Sequence, residues 1–161
     1  MLIIVEGTAG AGKTTLCANA LALRPELSLV PPITGDVGAA IATATEAAQG
    51  RIVLADSFHA TWFVRNPQTK IEDFDAWDGR IAGIPARCVF VRIKNIAARV
   101  DADKYGTQFG ETDVAIAKYF AWEQERLFDV ISKSRVPFVE LDGEVSPDQL
   151  VADFLARAAE F

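Results

Sequence analysis

The chain opens with a short apolar run, Leu2–Val5, that is followed at once by a glycine-rich loop. Residues 7–14, the phosphate loop, read Gly-Thr-Ala-Gly-Ala-Gly-Lys-Thr and fit the pattern G-x-x-x-x-G-K-[ST] in full. Glycines let such a loop turn tightly, so that successive N–H groups can cradle a polyphosphate at the positive end of the next helix. The pattern predicts a strand, a phosphate loop and a helix in this order; the structural alternative is a plain glycine-rich turn.

Individual residues of the loop have different expected roles. Lys13 is expected to reach the β and γ phosphates of a nucleoside triphosphate, and the Thr14 hydroxyl to ligate Mg²⁺. The predicted nucleotide-binding residues are Gly7, Thr8, Ala9, Gly10, Ala11, Gly12, Lys13, Thr14 and Thr15.

Short runs rich in Val, Ile and Leu recur between longer segments with helical spacing. The runs do not alternate with polar residues, which is typical of parallel strands covered on both faces. Alternating strands and helices predict an α/β protein, a three-layer α/β/α sandwich with a five-stranded parallel sheet. The predicted strands are 2–6, 27–30, 51–55, 87–93 and 136–141. The predicted helices are 13–23, 36–49, 57–65, 96–102, 113–134 and 147–159, with Asp36, Thr112 and Ser146 as N-caps.

Two segments lack a clear period. Residues 66–85 contain two prolines, two glycines and six charged residues, and they are expected to be irregular or short-helical. Residues 101–111 contain two glycines and resemble a lid. Either segment is a closing flap or an ordinary surface loop. With no repeat or linker in between, residues 1–161 are expected to form a single domain whose lid-like segment spans about 100–112.

Composition limits the partners of the chain. A net charge of −6 argues against a duplex nucleic acid, whose phosphates require a basic face. Apolar runs all fall short of the roughly 18 residues that suggest a membrane span, and no basic segment precedes the first one. We therefore expect a cytoplasmic protein without membrane contact. Two cysteines without a CxxC pair and a single histidine argue against a disulfide framework or a zinc site.

Two carboxylates end predicted strands near the phosphate loop. Asp56 follows the apolar run 52–55, and a carboxylate at this place in a P-loop protein helps to hold the metal. Asp56 and Thr14 are therefore the predicted metal ligands, although Asp56 is also suited to cap the next helix. Glu6 ends the first strand at the same edge of the sheet. Its alternative role is that of a structural partner for loop backbone.

These segments resemble the thymidylate kinase and deoxynucleoside kinase group of P-loop phosphotransferases. The resemblance rests on Ile4-Val5-Glu6-Gly7 before the phosphate loop, on Asp56-Ser57-Phe58-His59-Ala60-Thr61, and on the order of elements between residues 88 and 142. It implies a P-loop NTPase fold, with ATP and Mg²⁺ as cofactors, and transfer of the γ-phosphoryl group to a nucleoside or nucleoside monophosphate. A homodimer is also implied, because members of the group often dimerise through helices.

The chain departs from that group at two positions. Thymidylate kinases usually carry Asp where this chain has Ala9, and Arg where it has Ser57. Losing that Arg removes a bidentate clamp for the phosphate of the acceptor. The acceptor is therefore left open as a nucleoside, a modified nucleotide or another compound that bears a hydroxyl group.

The resemblance also implies where the acceptor lies. Phe58, His59 and Trp62 follow Asp56 on a short helix and are the candidate acceptor contacts, with a place in the core as their alternative. Asp36 follows the second strand and is a candidate catalytic base or simply a helix N-cap.

Phosphoryl transfer needs positive charge around the reacting oxygens beyond Lys13. Arg99, at the entry to the lid-like segment, is the preferred candidate, and an exposed surface cation is its alternative. The predicted catalytic set is therefore Lys13, Asp56, Arg99 and Asp36. The acidic residues Glu111, Asp113, Glu123 and Glu125 are expected to be solvated charges on a helix.

Three functions remain open on this basis. The leading hypothesis is a Mg-ATP-dependent phosphotransferase with a small-molecule acceptor. A nucleotide hydrolase uses the same phosphate loop with water as the acceptor. A binding module retains the nucleotide without turnover.

Overall fold

A parallel sheet forms the centre of the computed structural model, which describes residues 1–100 and 112–159. The five strands pair in the order β2-β3-β1-β4-β5, and every pairing is parallel. Successive side chains of a strand point to opposite faces, so strands that are apolar throughout supply the core on both sides. The strands are β1 Leu2–Glu6, β2 Ser28–Leu29, β3 Val53–Asp56, β4 Ala86–Arg92 and β5 Phe138–Asp142.

Helices cover both faces of this sheet, which confirms the three-layer α/β/α prediction. Ile3 and Val5 of β1 pack in a cluster with α1 and α6, whereas Leu2 and Ile4 pack in a second cluster with α2 to α5. Within the described ranges, no helix has the length and apolarity that crossing a membrane requires. The helices are α1 Lys13–Leu23, α2 Val37–Ala47, α3 His59–Arg65, α4 Ile71–Ala82, α5 Asp113–Ser132 and α6 Pro147–Ala159, and a 3₁₀ turn spans Ile96–Arg99.

The three predicted N-caps are confirmed. The Asp36 carboxylate accepts a hydrogen bond from the backbone N–H of Ala39 at 3.1 Å. The Thr112 and Ser146 hydroxyls accept equivalent bonds, both at 3.2 Å. Each bond satisfies an N–H group that has no partner within its helix.

The expectation for residues 66–85 is wrong over most of its length, because α4 occupies Ile71–Ala82 as a regular helix. Phe74 and Ile81 place its apolar side in the core. The predicted lid-like segment at residues 101–111 lies outside the described residues.

A buried carboxylate ties α4 to its neighbours. Asp78 is 3% exposed and accepts hydrogen bonds from the backbone N–H of Arg135 at 2.7 Å and from the Ser134 hydroxyl; its carboxylate also pairs with Nε2 of His59 at 3.3 Å. Burial alone acts to raise the pKa of Asp78, but the bonds to His59, Ser134 and Arg135 outweigh it and lower that pKa. Asp78 therefore joins α3, α4 and the turn before β5.

Replacing Asp78 by alanine is expected to destabilise the protein. The change leaves the buried His59 and two partly buried donors, the Ser134 hydroxyl and the Arg135 N–H, without an acceptor, and we expect the free energy of unfolding to fall by about 3 kcal/mol. The matched control is Asp75→Ala on the exposed side of the same helix, with an expected effect below about 0.5 kcal/mol. Urea denaturation of both variants measures the difference, and equal effects would contradict the structural role of Asp78.

Candidate active site

The phosphate loop lies close against neighbouring backbone. Gly7, Gly10 and Gly12 have φ angles of 151°, 79° and 87°, which only glycine adopts readily. A Cβ on Gly7 would lie 2.6 Å from the carbonyl oxygen of Val91, and one on Gly10 would lie 3.2 Å from that of Arg99. Glycine is therefore required at residue 7 both by conformation and by the space beside β4.

Lys13 is buried at the first position of α1. It is 8% exposed, and its ammonium donates a hydrogen bond to the carbonyl oxygen of Thr8 at 2.9 Å. Burial lowers the pKa of Lys13, although the nearby carboxylates of Asp56, Glu6 and Glu123 act in the opposite direction. An anionic phosphate in the loop would favour the charged form of this side chain.

Thr14 and Asp56 meet at the edge of the sheet. The Thr14 hydroxyl donates a hydrogen bond to Oδ2 of Asp56 at 2.6 Å, across the gap between α1 and the end of β3. Mg²⁺ in phosphate-handling sites is held by one or two protein oxygens together with phosphates and water, and this pair supplies such a set. Throughout the part of the chain that the structure describes, no cluster of three His, Cys, Asp or Glu side chains suggests a metal site made of protein alone.

Glu6 has a structural role, which is the alternative considered from the sequence. Its side chain is fully buried and accepts hydrogen bonds from the N–H groups of Phe58 and Thr61, at 3.0 and 3.4 Å, and from the Thr61 hydroxyl. The carboxylate thus satisfies N–H groups at the start of α3 and fixes that helix to the end of β1.

Glu123 is not a solvated helix charge, and this expectation is wrong. The residue is fully buried, and its carboxylate accepts hydrogen bonds from the Thr8 hydroxyl at 2.5 Å, from the Ala9 N–H at 3.1 Å and from Nε of Arg65 at 2.6 Å. It lies in the apolar stripe of α5, whose spacing was visible in the sequence. The buried residues of this stripe are Ile116, Phe120, Glu123, Leu127 and Val130.

Two opposing effects act on the Glu123 carboxylate. Burial acts to raise its pKa, but the Arg65 guanidinium, the Thr8 hydroxyl and the Ala9 N–H together outweigh burial and hold the pKa below the ordinary value of 4.5. The charged form of Glu123 is therefore the form that stabilises the fold.

An open cavity of about 470 Å³ lies over the phosphate loop. Besides the loop it is lined by Asp56, Ser57, Arg65 and Arg99. Arg99 is held in place by a hydrogen bond from its Nη2 to the carbonyl oxygen of Gly143 at 2.8 Å. Together with Lys13, the two arginines surround the cavity with positive charge, which suits a polyphosphate. Arg65 was missed from the sequence, because its contact with Glu123 is 58 residues away along the chain.

The structure brings Lys13, Thr14, Asp56 and Arg99 together at the phosphate loop, but the predicted acceptor residues and Asp36 lie elsewhere. Phe58 is 2% exposed in the core, and Trp62 packs partly buried against the same cluster. His59 is buried as well, stacked on Phe74 and paired with Asp78, and its Nδ1 has no hydrogen-bond partner among the described residues. Asp36 lines a different cavity, between the end of β2 and α2.

The acid dependence of stability tests the role of Glu123. Because its pKa is lowered by folding, its stabilising effect is complete above pH 4.5 and is lost as the pH falls through the folded-state value. We expect the free energy of unfolding to fall less steeply below pH 4.5 in Glu123→Gln than in the wild type. The control Glu125→Gln, exposed on the same helix, should keep the wild-type slope. Denaturant titrations between pH 3 and 7 measure this, and an unchanged slope in Glu123→Gln would contradict it.

Comparison with known proteins supports the fold. No protein-family model matches the chain, and no curated protein sequence matches it significantly. Among solved structures, the YorR protein of Bacillus subtilis in complex with phosphorylated GDP aligns with a TM-score of 0.75 at 15% identity, covering 99% of this chain and 96% of that one. Deoxyadenosine kinase from M. mycoides with bound dATP aligns with a TM-score of 0.62 at 13% identity, covering 99% and 100%. The same kinase with dCMP and dCDP aligns with a TM-score of 0.61 at 13% identity, covering both chains in full. The chain therefore has the fold of the P-loop nucleoside and nucleotide kinases.

Proposed function

We propose that the protein is a Mg-ATP-dependent phosphotransferase that moves the γ-phosphoryl group to a nucleoside, a nucleoside monophosphate or a similar small acceptor. The observation that carries the proposal is the contact between Thr14 and Asp56 at 2.6 Å, beside the buried Lys13. This contact places a hydroxyl and a carboxylate at the phosphate-loop helix, where a metal–triphosphate complex binds. In the same proposal residues 1–161 form one kinase domain that works in the cytoplasm, with residues 100–112 as its lid.

Some residues of the site would bind the triphosphate, and others would stabilise the negative charge during transfer. Backbone N–H groups of the phosphate loop bind the triphosphate, and Lys13 contacts its β and γ phosphates. Arg65 and Arg99 add positive charge where the phosphoryl group is transferred. Thr14 and Asp56 would hold Mg²⁺, which would neutralise negative charge on the triphosphate.

The structural neighbours support a nucleoside or a nucleotide as the acceptor. The deoxyadenosine kinase structures hold dATP, dCMP and dCDP, and the YorR structure holds phosphorylated GDP. A nucleoside or nucleotide is the acceptor class that fits these likenesses over the full length of the chain.

An acceptor panel separates this proposal from the alternatives. The protein is incubated with Mg-ATP and with single nucleosides and monophosphates, and ADP release is followed with a coupled assay. Release that depends on the acceptor supports a kinase. Release that is independent of the acceptor indicates a hydrolase, and ATP binding without release indicates a binding module; both contradict the proposal.

Lys13→Met is expected to abolish transfer and to leave the fold intact. Methionine keeps most of the volume of the side chain but removes the charge that contacts the phosphates. Because burial disfavours the Lys13 ammonium without a ligand, the free energy of unfolding without nucleotide should be unchanged or higher than in the wild type. ADP release and denaturant titration measure the two effects. Unchanged ADP release in this variant would refute the assignment of the phosphate loop.

Asp56→Asn is expected to lower turnover at least about tenfold, equivalent to 1.4 kcal/mol, and to raise the Mg²⁺ concentration needed for half-maximal rate. The asparagine amide keeps the shape of the aspartate side chain but interacts more weakly with a cation. Asp75→Asn, exposed on α4, is the control and should match the wild type. If rate and Mg²⁺ dependence are both unaltered in Asp56→Asn, Asp56 does not serve the metal.

A further inference from the structure

The two arginines of the cavity differ in their surroundings. The Thr14–Asp56 contact marks the metal end of the triphosphate and therefore the side of its γ phosphate. Arg65 and Arg99 both line the cavity together with Asp56 and Ser57. Arg99 also borders an adjoining cavity formed by α1 and the turn after β5. Arg65 does not border that adjoining cavity, so it is the candidate cation for the γ phosphate and the acceptor.

Arg65 is held in a way that leaves its binding groups available. Its Nε donates to the buried Glu123 carboxylate at 2.6 Å, while its side chain remains 34% exposed. Among the residues that the structure describes, none accepts a hydrogen bond from Nη1 or Nη2 of Arg65. A guanidinium anchored through Nε can present its terminal N–H groups to one anion in a bidentate manner.

The carboxylates near the cavity that the structure describes each accept a hydrogen bond within the protein. Asp56, the only carboxylate among the described residues that line the cavity, accepts the Thr14 hydroxyl. Glu6 holds the start of α3, and Glu123 holds the phosphate loop and Arg65. Asp36 caps α2 beside a separate cavity. A hydroxyl acceptor requires a base that takes its proton, and these residues leave none free for it.

A phosphate monoester has the opposite requirements. Its second pKa is about 6, so at neutral pH it is mostly a dianion that attacks without first losing a proton to the protein. It requires positive charge to be held next to the equally anionic γ phosphate. The described residues that line the cavity include three cations and one engaged carboxylate, so they supply positive charge and offer no free base.

We infer that the reacting group of the acceptor is a phosphate, so that the substrate is a nucleoside monophosphate whose phosphate is bound by Arg65. The inference rests on the function proposed above. An oxygen of the acceptor phosphate forms a bond to the γ phosphorus of ATP, and the bond from that phosphorus to the β,γ-bridging oxygen breaks. The electron pair of the broken bond leaves with ADP, and the products are ADP and a nucleoside diphosphate.

The first test compares matched acceptors with the wild-type protein. ADP release is measured with each nucleoside and with its 5′-monophosphate under the same Mg-ATP conditions. We expect kcat/KM for the best monophosphate to exceed that of its nucleoside at least about 100-fold. Turnover with nucleosides but not with monophosphates would overturn this inference and leave the proposed kinase standing. No acceptor-dependent release with either class would overturn both.

Arg65 variants test the residue itself. Arg65→Lys keeps a charge beside Glu123 but loses the bidentate geometry, and we expect its KM for the monophosphate to rise at least tenfold, with the KM for ATP within twofold of the wild type. Arg126→Gln, an exposed arginine on α5, is the control and should change neither constant. An unchanged acceptor KM, or an equal rise in both KM values, would overturn the role of Arg65.

A double variant separates the loss of Arg65 from a folding defect. Arg65→Gln alone would leave the Glu123 carboxylate buried without its cation and could therefore destabilise the protein. The double variant Arg65→Gln/Glu123→Gln removes both charges and is compared with Glu123→Gln. We expect the double variant to show the larger acceptor KM by at least tenfold. Equal acceptor KM values in these two proteins would overturn the inference.

Discussion

Glu123 is the carboxylate on which the shape of the site depends, because it binds the phosphate loop and a cavity arginine at the same time. Thr8 and Ala9 donate to it from the loop, and Arg65 donates from the end of α3. A buried charge is costly unless it is paired and fully hydrogen-bonded, and Glu123 meets both conditions. The phosphate loop and Arg65 are thereby fixed relative to each other without a ligand, and such preorganisation would lower the reorganisation needed for the proposed transfer.

The charges of the protein are arranged locally rather than globally. The chain carries a net charge of −6, yet Lys13, Arg65 and Arg99 line one cavity with a single carboxylate among its described lining residues. Glu6 and Glu123 lie nearby but point their oxygens at N–H, O–H and guanidinium donors of the scaffold. An acidic protein can thus form a cationic cavity, because its buried carboxylates accept hydrogen bonds from the scaffold instead of lining the cavity.

Local signals carried most of what could be predicted from the sequence. The phosphate loop is contiguous, and Asp56 ends a strand, so pattern and position sufficed to locate both at the same edge of the sheet. The α4 helix was missed because the prolines and glycines around it outweighed the helical spacing of Phe74, Trp77 and Ile81. Arg65 and Glu123 were missed for a different reason, since both are charged residues on helices and only tertiary packing shows that one is buried against the other.

The proposed phosphotransferase moves the γ-phosphoryl group of ATP to an organic acceptor. Phosphorus NMR of the protein with Mg-ATP and a nucleoside monophosphate follows that group directly. We expect the γ-phosphate signal of ATP to decline while the two phosphate signals of a nucleoside diphosphate grow, with ADP formed in equal amount. Growth of the inorganic phosphate signal alone, at a rate that does not depend on the acceptor, would contradict phosphoryl transfer to an organic acceptor.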